Sequence, residues 1–279
     1  MKSRGLLRSR LFVDHYTSDA EIFEAPSGQL AVYTAAAEDD AANEDAVGLF
    51  PCTEETTVLA VADGVGGQRA GEQAAHIALM QLRAALNRIR RESAEPRAAI
   101  LDGFEQANRA VLEMGIGAAT TLAVVEVCGK QIRPYHVGDS PILVVGQRGQ
   151  VKLQSVAHSP VGYAVESGLV DEDDALNHEE RDVVSNLIGD QEMRIEMGST
   201  MTLARYDTLL IASDGLWDNL YLSEIVENVR KGPMEQVVRG LVGTCRSRMH
   251  GDGEGQPSKL DDVSFVVYRP ARGRRSVKS

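Results

Sequence analysis

Four aspartates stand at the ends of apolar runs that read as buried strands. Asp45 precedes AVGLF, Asp63 follows VLAVA, Asp214 follows LLIAS, and Asp261 precedes DVSFVV. A carboxylate beside a buried strand is costly unless its charge is compensated. Asp63 and Asp214 are each followed at once by glycine, in ADGVGG (62–67) and SDGLWD (213–218), so the backbone there can turn sharply and offer a carbonyl oxygen. Carboxylates, a carbonyl and water are the ligands of a hard divalent cation, Mg²⁺ or Mn²⁺, rather than of zinc or copper. Taken alone, an Asp-Gly pair is also the commonest short hairpin signal, and Asp261-Asp262 is a solvated strand start. The case for a metal lies in the recurrence of the whole ordered set.

The elements that must position these acids are mostly strands. Runs rich in Val, Ile and Leu occur at 30–34, 57–62, 120–128, 131–137, 142–145, 151–154, 207–212 and 263–268. The Gly129-Lys130 pair has hairpin length, which makes its flanking strands antiparallel neighbours. Helical periodicity in GEQAAHIALMQLRAALNRIRR places Ala75, Ala78, Leu79, Leu82, Ala85, Leu86 and Ile89 on one face. A second helix after Pro96 carries Ile100, Leu101, Phe104, Ala107, Val111 and Leu112. Ser223 is expected to cap a short helix ending at Val229, and Pro233 to open another with Val237, Val238, Leu241, Val242 and Cys245 inward. Hairpins rather than βαβ crossovers join the middle strands, so the pattern predicts antiparallel sheets in a layered α/β (α+β) sandwich.

The 279 residues carry a net charge of −12. Lys2, Arg4, Arg8, Arg10, Arg269, Arg272, Arg274, Arg275 and Lys278 crowd the two ends without an acid, and removing those nine charges leaves −21 for residues 11–268. Such a surface suits cations and argues against a nucleic-acid or anionic-membrane binder, which needs Lys and Arg to displace counterions. No apolar run approaches the roughly 20 residues of a membrane helix. The amino-terminal stretch lacks the uninterrupted apolar region of a secretory signal. Cys52, Cys128 and Cys245 are odd in number and widely spaced, which reads as reduced thiols in a cytoplasmic protein. One domain is expected.

The ordered motifs NED (43–45), ADGVGGQRAGE (62–72), GAATTLAVV (117–125), HVGDSPILVV (136–145), SGLVDEDDALNHEERDVVSNLIGD (167–190), TLLIASDGLWDNL (208–220) and KLDDVSFVVYR (259–269) resemble the metal-dependent PPM, or type 2C, Ser/Thr protein phosphatases. The resemblance implies a four-layer αββα sandwich, two antiparallel sheets flanked by antiparallel helix pairs. It divides the chain into an extension (1–29), a phosphatase domain (30–268) with a flap at about 159–182, and a basic tail (269–279). It implies Mn²⁺- or Mg²⁺-dependent hydrolysis of phosphoserine and phosphothreonine in proteins. Two ions would be held by Asp45, Asp63, the Gly64 carbonyl, Asp214 and Asp261, and a weaker third ion by Asp139 in some relatives. Glu44 would act directly or through water. Asp63 and Asp214 would be the catalytic acids, working through a metal-activated water. A phosphoprotein substrate, a cognate Ser/Thr kinase and a monomeric, cytoplasmic enzyme bound to neither nucleic acid nor membrane complete that picture.

The chain departs from the family in three places. A phosphate-gripping Arg found in many relatives four residues before Glu44 is Asp40 here, so either the metals alone hold phosphate or Arg69 substitutes. The histidine that animal-type members carry after the Asp-Gly is Val65. The family's Asp-His-Ser appears as Ala157-His158-Ser159, with His158 read as a packed or loop residue. The loss at position 40 leaves a second function class open, a catalytically silent module that binds a phosphoprotein or kinase. Walker, dinucleotide and GxSxG patterns are all missing.

Overall fold

The computed structural model describes residues 4–5, 8–17, 19–38, 41–65, 69–92, 95–251 and 255–271, without the side chains of residues 4, 69 and 90–92. Asp40 and the tail beyond residue 271 therefore lie outside the described residues.

Chain order begins with β1 (Arg4–Gly5), β2 (Arg10–Val13), β3 (Glu21–Ala25), β4 (Gly28–Ala35), β5 (Ala46–Pro51), β6 (Thr56–Ala62) and β7 (Gly64–Val65). Two long helices follow, α1 (Arg69–Glu92) and α2 (Pro96–Glu113). Next come β8 (Ala119–Thr120), β9 (Leu122–Cys128), β10 (Gln131–Val137), β11 (Ile142–Val145) and β12 (Val151–Gln154). The segment after them holds α3 (Pro160–Glu166), α4 (Glu172–Ala175), β13 (Glu196–Met197) and β14 (Met201–Thr202). The chain closes with β15 (Thr208–Ala212), α5 (Asp214–Trp217), α6 (Leu222–Val229), α7 (Met234–Met249) and β16 (Val263–Pro270).

The main strands build two seven-stranded sheets. One runs β1-β3-β4-β16-β15-β11-β12, and the other β13-β10-β9-β6-β5-β2 with β14 also on β10. Every pairing in them is antiparallel except β1 with β3. Alternation along the central strands gives each two apolar faces, because each sheet is covered on both sides. Leu30, Val47, Leu59, Val125, Leu209 and Val266 fill the space between the sheets. Ala78, Leu82, Phe104 and Val111 of the α1–α2 pair cover one outer face, and Leu216, Ile225, Val238 and Leu241 of α5–α7 cover the other. The architecture is the expected αββα sandwich.

Several local expectations are corrected. Ser223 is not the cap of α6: Tyr221 precedes the helix and its N–H donates to Glu224 Oε2 at 2.9 Å. Pro233 is the residue before α7 rather than its first turn. Leu112, placed on the inner stripe of α2 by periodicity, is exposed at the helix end. The strands of residues 4–25 pair into both sheets, and nothing in their composition showed it. Within the 159–182 segment the acidic stretch forms the single turn α4.

Phe104 is fully buried between α2 and its sheet. Truncating it to Ala should cost about 3–5 kcal/mol. Urea denaturation should show the midpoint falling at unchanged slope.

Candidate metal centre

Antiparallel register brings the four aspartates to one end of the sandwich. Ala46 at the start of β5 faces Ala62 at the end of β6, so Asp45 and Asp63 emerge side by side from one sheet. In the other sheet Ala212 at the end of β15 faces Phe265 near the start of β16, which sets Asp214 beside Asp261. The two pairs meet across the seam between the sheets. Ser213 Oγ donates to Asp45 Oδ2 at 2.8 Å, and the charge of Asp214 bears on Asp63 across the seam. Asp139 reaches the same end from the β10–β11 turn and lines a cleft of about 340 Å³ with Asp214, Asp218, Val161, Leu176 and Arg181.

The backbone around these acids is clamped. Thr121 Oγ1 accepts the Asp63 N–H at 3.0 Å, while the Thr121 N–H and Thr120 Oγ1 both donate to the Asp63 carbonyl at 2.8 Å. The GAATT motif thus serves to hold Asp63. Gly64 and Gly71 are required by close approach: a Cβ on Gly64 would strike the Gly71 backbone, and one on Gly71 would strike Glu44 Oε2 and stand 2.8 Å from the Gly64 carbonyl oxygen. Glu44 therefore faces the first turn of α1, beside the Gly64 carbonyl. Asp262 accepts the N–H groups of Ala37 and Glu44 at 2.7 and 2.5 Å and ties β16 to the loop carrying Asp45.

Like charges gathered in a half-buried seam shift one another's ionisation. Burial, then the charge of Asp214, pushes Asp63 well above the usual carboxylate range. Burial, then Asp262, does the same to Asp45 against the Ser213 hydrogen bond. Burial and the charge of Asp214 raise Asp139 and Asp218 each to about 7, and Asp261 to about 6. An all-oxygen acid set under that much mutual repulsion fits hard divalent cations.

All the sequence-predicted acids come together here. The side chain of Arg69, at the start of α1, lies outside the described residues. Three participants were missed: Asp218, Asp262 and Lys259. The signal for Lys259 was present, a cation two residues before the Asp261-Asp262 pair.

A second group holds ligand-type atoms within 4.8 Å of one another, His136, His158 and Glu196. His136 bonds the Val156 carbonyl through Nε2 at 3.0 Å and stacks on His158, with ring centroids 4.4 Å apart. His158 Nδ1 accepts from the Gly138 N–H at 3.1 Å and from Asn186 Nδ2 at 2.9 Å, and Asn186 is oriented by bonds to both backbone groups of Arg194. The proton must then sit on Nε2, which donates to Glu196 at 3.2 Å and has no lone pair for a metal. His158 instead steadies the Gly138–Asp139 turn.

Two sheets packed face to face, flanked by helix layers and carrying a carboxylate seam at one end, define the class of metal-dependent phosphoprotein phosphatases. Residues 34–249 match the family described as Protein phosphatase 2C, and the chain belongs to that family. It is 30% identical over 191 residues to the protein phosphatase PhpP of Streptococcus pneumoniae, covering 66% of this chain and 76% of that one. The serine/threonine phosphatase Stp1 of Staphylococcus aureus shares the fold with a TM-score of 0.73 at 24% identity, over 87% of this chain and 94% of Stp1. The catalytic domain of the phosphatase PstP, solved with two manganese ions, gives 0.65 at 23% identity over 86% and 96%. The protein is accordingly a metal-dependent Ser/Thr phosphatase, and neither the relatives nor the described site favours a silent module.

Carboxyls whose folded pKa is raised bind protons more tightly folded than unfolded. Their contribution is full below about pH 4, the unfolded value, and is lost as pH rises through about 7. In EDTA the Tm of Asp218→Asn should therefore exceed that of the parent at pH 7.5 and approach it at pH 5. Mn²⁺ should raise the parent's Tm far more than that of Asp63→Asn.

Proposed function

We propose that Asp45, Asp63, the Gly64 carbonyl, Asp214 and Asp261 hold two Mn²⁺ or Mg²⁺ ions for hydrolysis of phosphoserine and phosphothreonine in proteins, with Glu44 adjoining them directly or through water. The observation that carries this reading is the convergence of acids from both sheets on one seam, backed by their mutual repulsion. When bound, the ions supply an activated water and neutralise the phosphate. The protein's share is positioning, which dominates phosphoryl transfer. The Thr120–Thr121 clamp fixes Asp63 and Ser213 orients Asp45. No nucleophilic side chain is needed.

Residues 30–268 form the phosphatase domain, with the strands of residues 4–25 extending its sheets. The 159–182 segment, which walls the cleft beside Asp139 and Asp214, is the face that meets the substrate protein. Arg69 stands in for the phosphate-gripping Arg that position 40 lacks; the support is its place at the start of α1, one turn from the Gly64–Gly71 contact. The boundary expected at residue 268 falls short, because β16 runs on to Pro270 and Arg269 Nε donates to Thr208 Oγ1 at 2.9 Å; the basic residues after 271 lie outside the described residues. We place the enzyme in the cytoplasm as a monomer opposing a cognate Ser/Thr kinase in signalling. Support for the compartment comes from the odd number and wide spacing of Cys52, Cys128 and Cys245. No described helix is long and apolar enough to cross a membrane.

Hydrolysis of para-nitrophenyl phosphate and a phosphothreonine peptide should require Mn²⁺ or Mg²⁺ and stop with EDTA. Asp63→Asn and Asp214→Asn should each lower kcat by about a thousandfold, equivalent to about 4 kcal/mol of transition-state stabilisation. Activity that survives both substitutions would sink this assignment. Arg69→Ala should raise KM for the peptide about tenfold, the worth of one charge-assisted phosphate contact, and an unchanged KM would remove Arg69 from the site.

A further inference from the structure

The acid cluster already contains a cation. Lys259 Nζ lies 2.7 Å from Asp214 Oδ2, 3.0 Å from Asp218 Oδ2, 3.1 Å from Asp261 Oδ2 and 3.1 Å from Asp182 Oδ1. An ammonium has three donors and no acceptor, so four carboxylates compete for it. Its side chain is 20% exposed, and the Asp214 and Asp218 carboxyls are half-buried or better, whereas Asp182 is at the surface and adds little.

Lys259 is delivered to that place by a rigid mount. Asn219, fully buried, accepts the Lys259 N–H at 2.9 Å and donates to the Lys259 carbonyl at 2.8 Å and the Gly215 carbonyl at 2.8 Å. The Asn219 carbonyl in turn accepts from Arg248 at 2.6 Å, and Ser258 Oγ donates to the Arg248 carbonyl at 2.9 Å. Gly215 allows this packing, because a Cβ there would strike the Asp262 carbonyl oxygen. The backbone on both sides of the ammonium is therefore set by α5 and α7, and the stem needs no search to reach the acids.

We propose that Lys259 is the resident cation of the outer corner of this site, bounded by Asp139, Asp214 and Asp218, and that it replaces there the third metal ion of other family members. The acids at that corner do not fit a third ion, since Asp214 Oδ2 and Asp218 Oδ2 are already bonded to the ammonium, whose charge repels a further cation. Lys259 also draws on Asp261 Oδ2, whose partner Oδ1 accepts the Asp262 N–H at 2.9 Å, so it weakens the hold of that acid on the second metal. The enzyme is thereby a two-metal phosphatase whose third positive charge is covalent. This rests on the two-ion centre proposed above.

The test counts bound Mn²⁺ by titration calorimetry and by electron paramagnetic resonance of the free ion, with catalysis left out of the readout. The parent should bind two ions and no third at submillimolar Mn²⁺. Lys259→Gln should gain a third ion bound at least tenfold more tightly than any third ion in the parent, Lys259→Arg should remain at two, and adding Asp139→Asn to Lys259→Gln should remove the third again. A third tight ion in the parent overturns the proposal without recourse to a variant, and two ions in both the parent and a folded Lys259→Gln overturn it as well. A parent that binds no ion would overturn the two-ion centre itself, a result distinct from either.

Discussion

Repulsion among carboxylates held at the seam between two sheets is the constraint around which the rest of this structure is arranged. Asp45 and Asp63 come from one sheet and Asp214 and Asp261 from the other, and each sheet is anchored by an apolar layer on both faces. Three packed layers supply the burial free energy that holds the acids together against their charge. The αββα arrangement is what allows this. A single sheet with one covered face would place its strand ends beside water, where such acids would ionise freely and hold a metal less firmly.

Polar groups next to the acids are used for placement. Thr120 and Thr121 hold the backbone of Asp63, Ser213 holds the carboxylate of Asp45, Asp262 ties Ala37 and Glu44 to the start of β16, and His158 steadies the turn before Asp139. Most of these contacts join segments far apart in the chain. Glycine serves where backbone must touch backbone, at Gly64 against Gly71 and at Gly215 against the Asp262 carbonyl. Bulk at either place would part the elements that bring the acids together.

The cleft beside the acids has mixed character. Val161, Val165 and Leu176 form an apolar wall, Arg181 brings a positive charge, and Asp139, Asp214 and Asp218 close the inner end. A phosphorylated side chain entering such a cleft meets Arg181 in its wall and, at the acidic end, the positive charge that balances those acids, to which Lys259 contributes through Asp214 and Asp218.

The sequence by itself determined the layers, most of the helix faces and which acids converge on the seam. Those depend on local periodicity, on Asp-Gly pairs at strand ends and on an ordered motif set, all of which are written along the chain. Pairing of residues 4–25 into the sheets was not legible, because short edge strands carry no periodicity of their own. Nor was the cap of α6, where a backbone-to-Glu224 bond outcompeted the hydroxyl of Ser223. Only the tertiary structure decided that Asp218 and Asp262 join the cluster and that Lys259 is its internal cation. Lys259 and Asp214 are 45 residues apart, and their 2.7 Å contact exists because β15 and β16 pair antiparallel and Asn219 grips the backbone between them. Spacing along a chain reveals which side chains could bind a cation, whereas the distance between charges, which sets how strongly they act on each other, is a property of the fold.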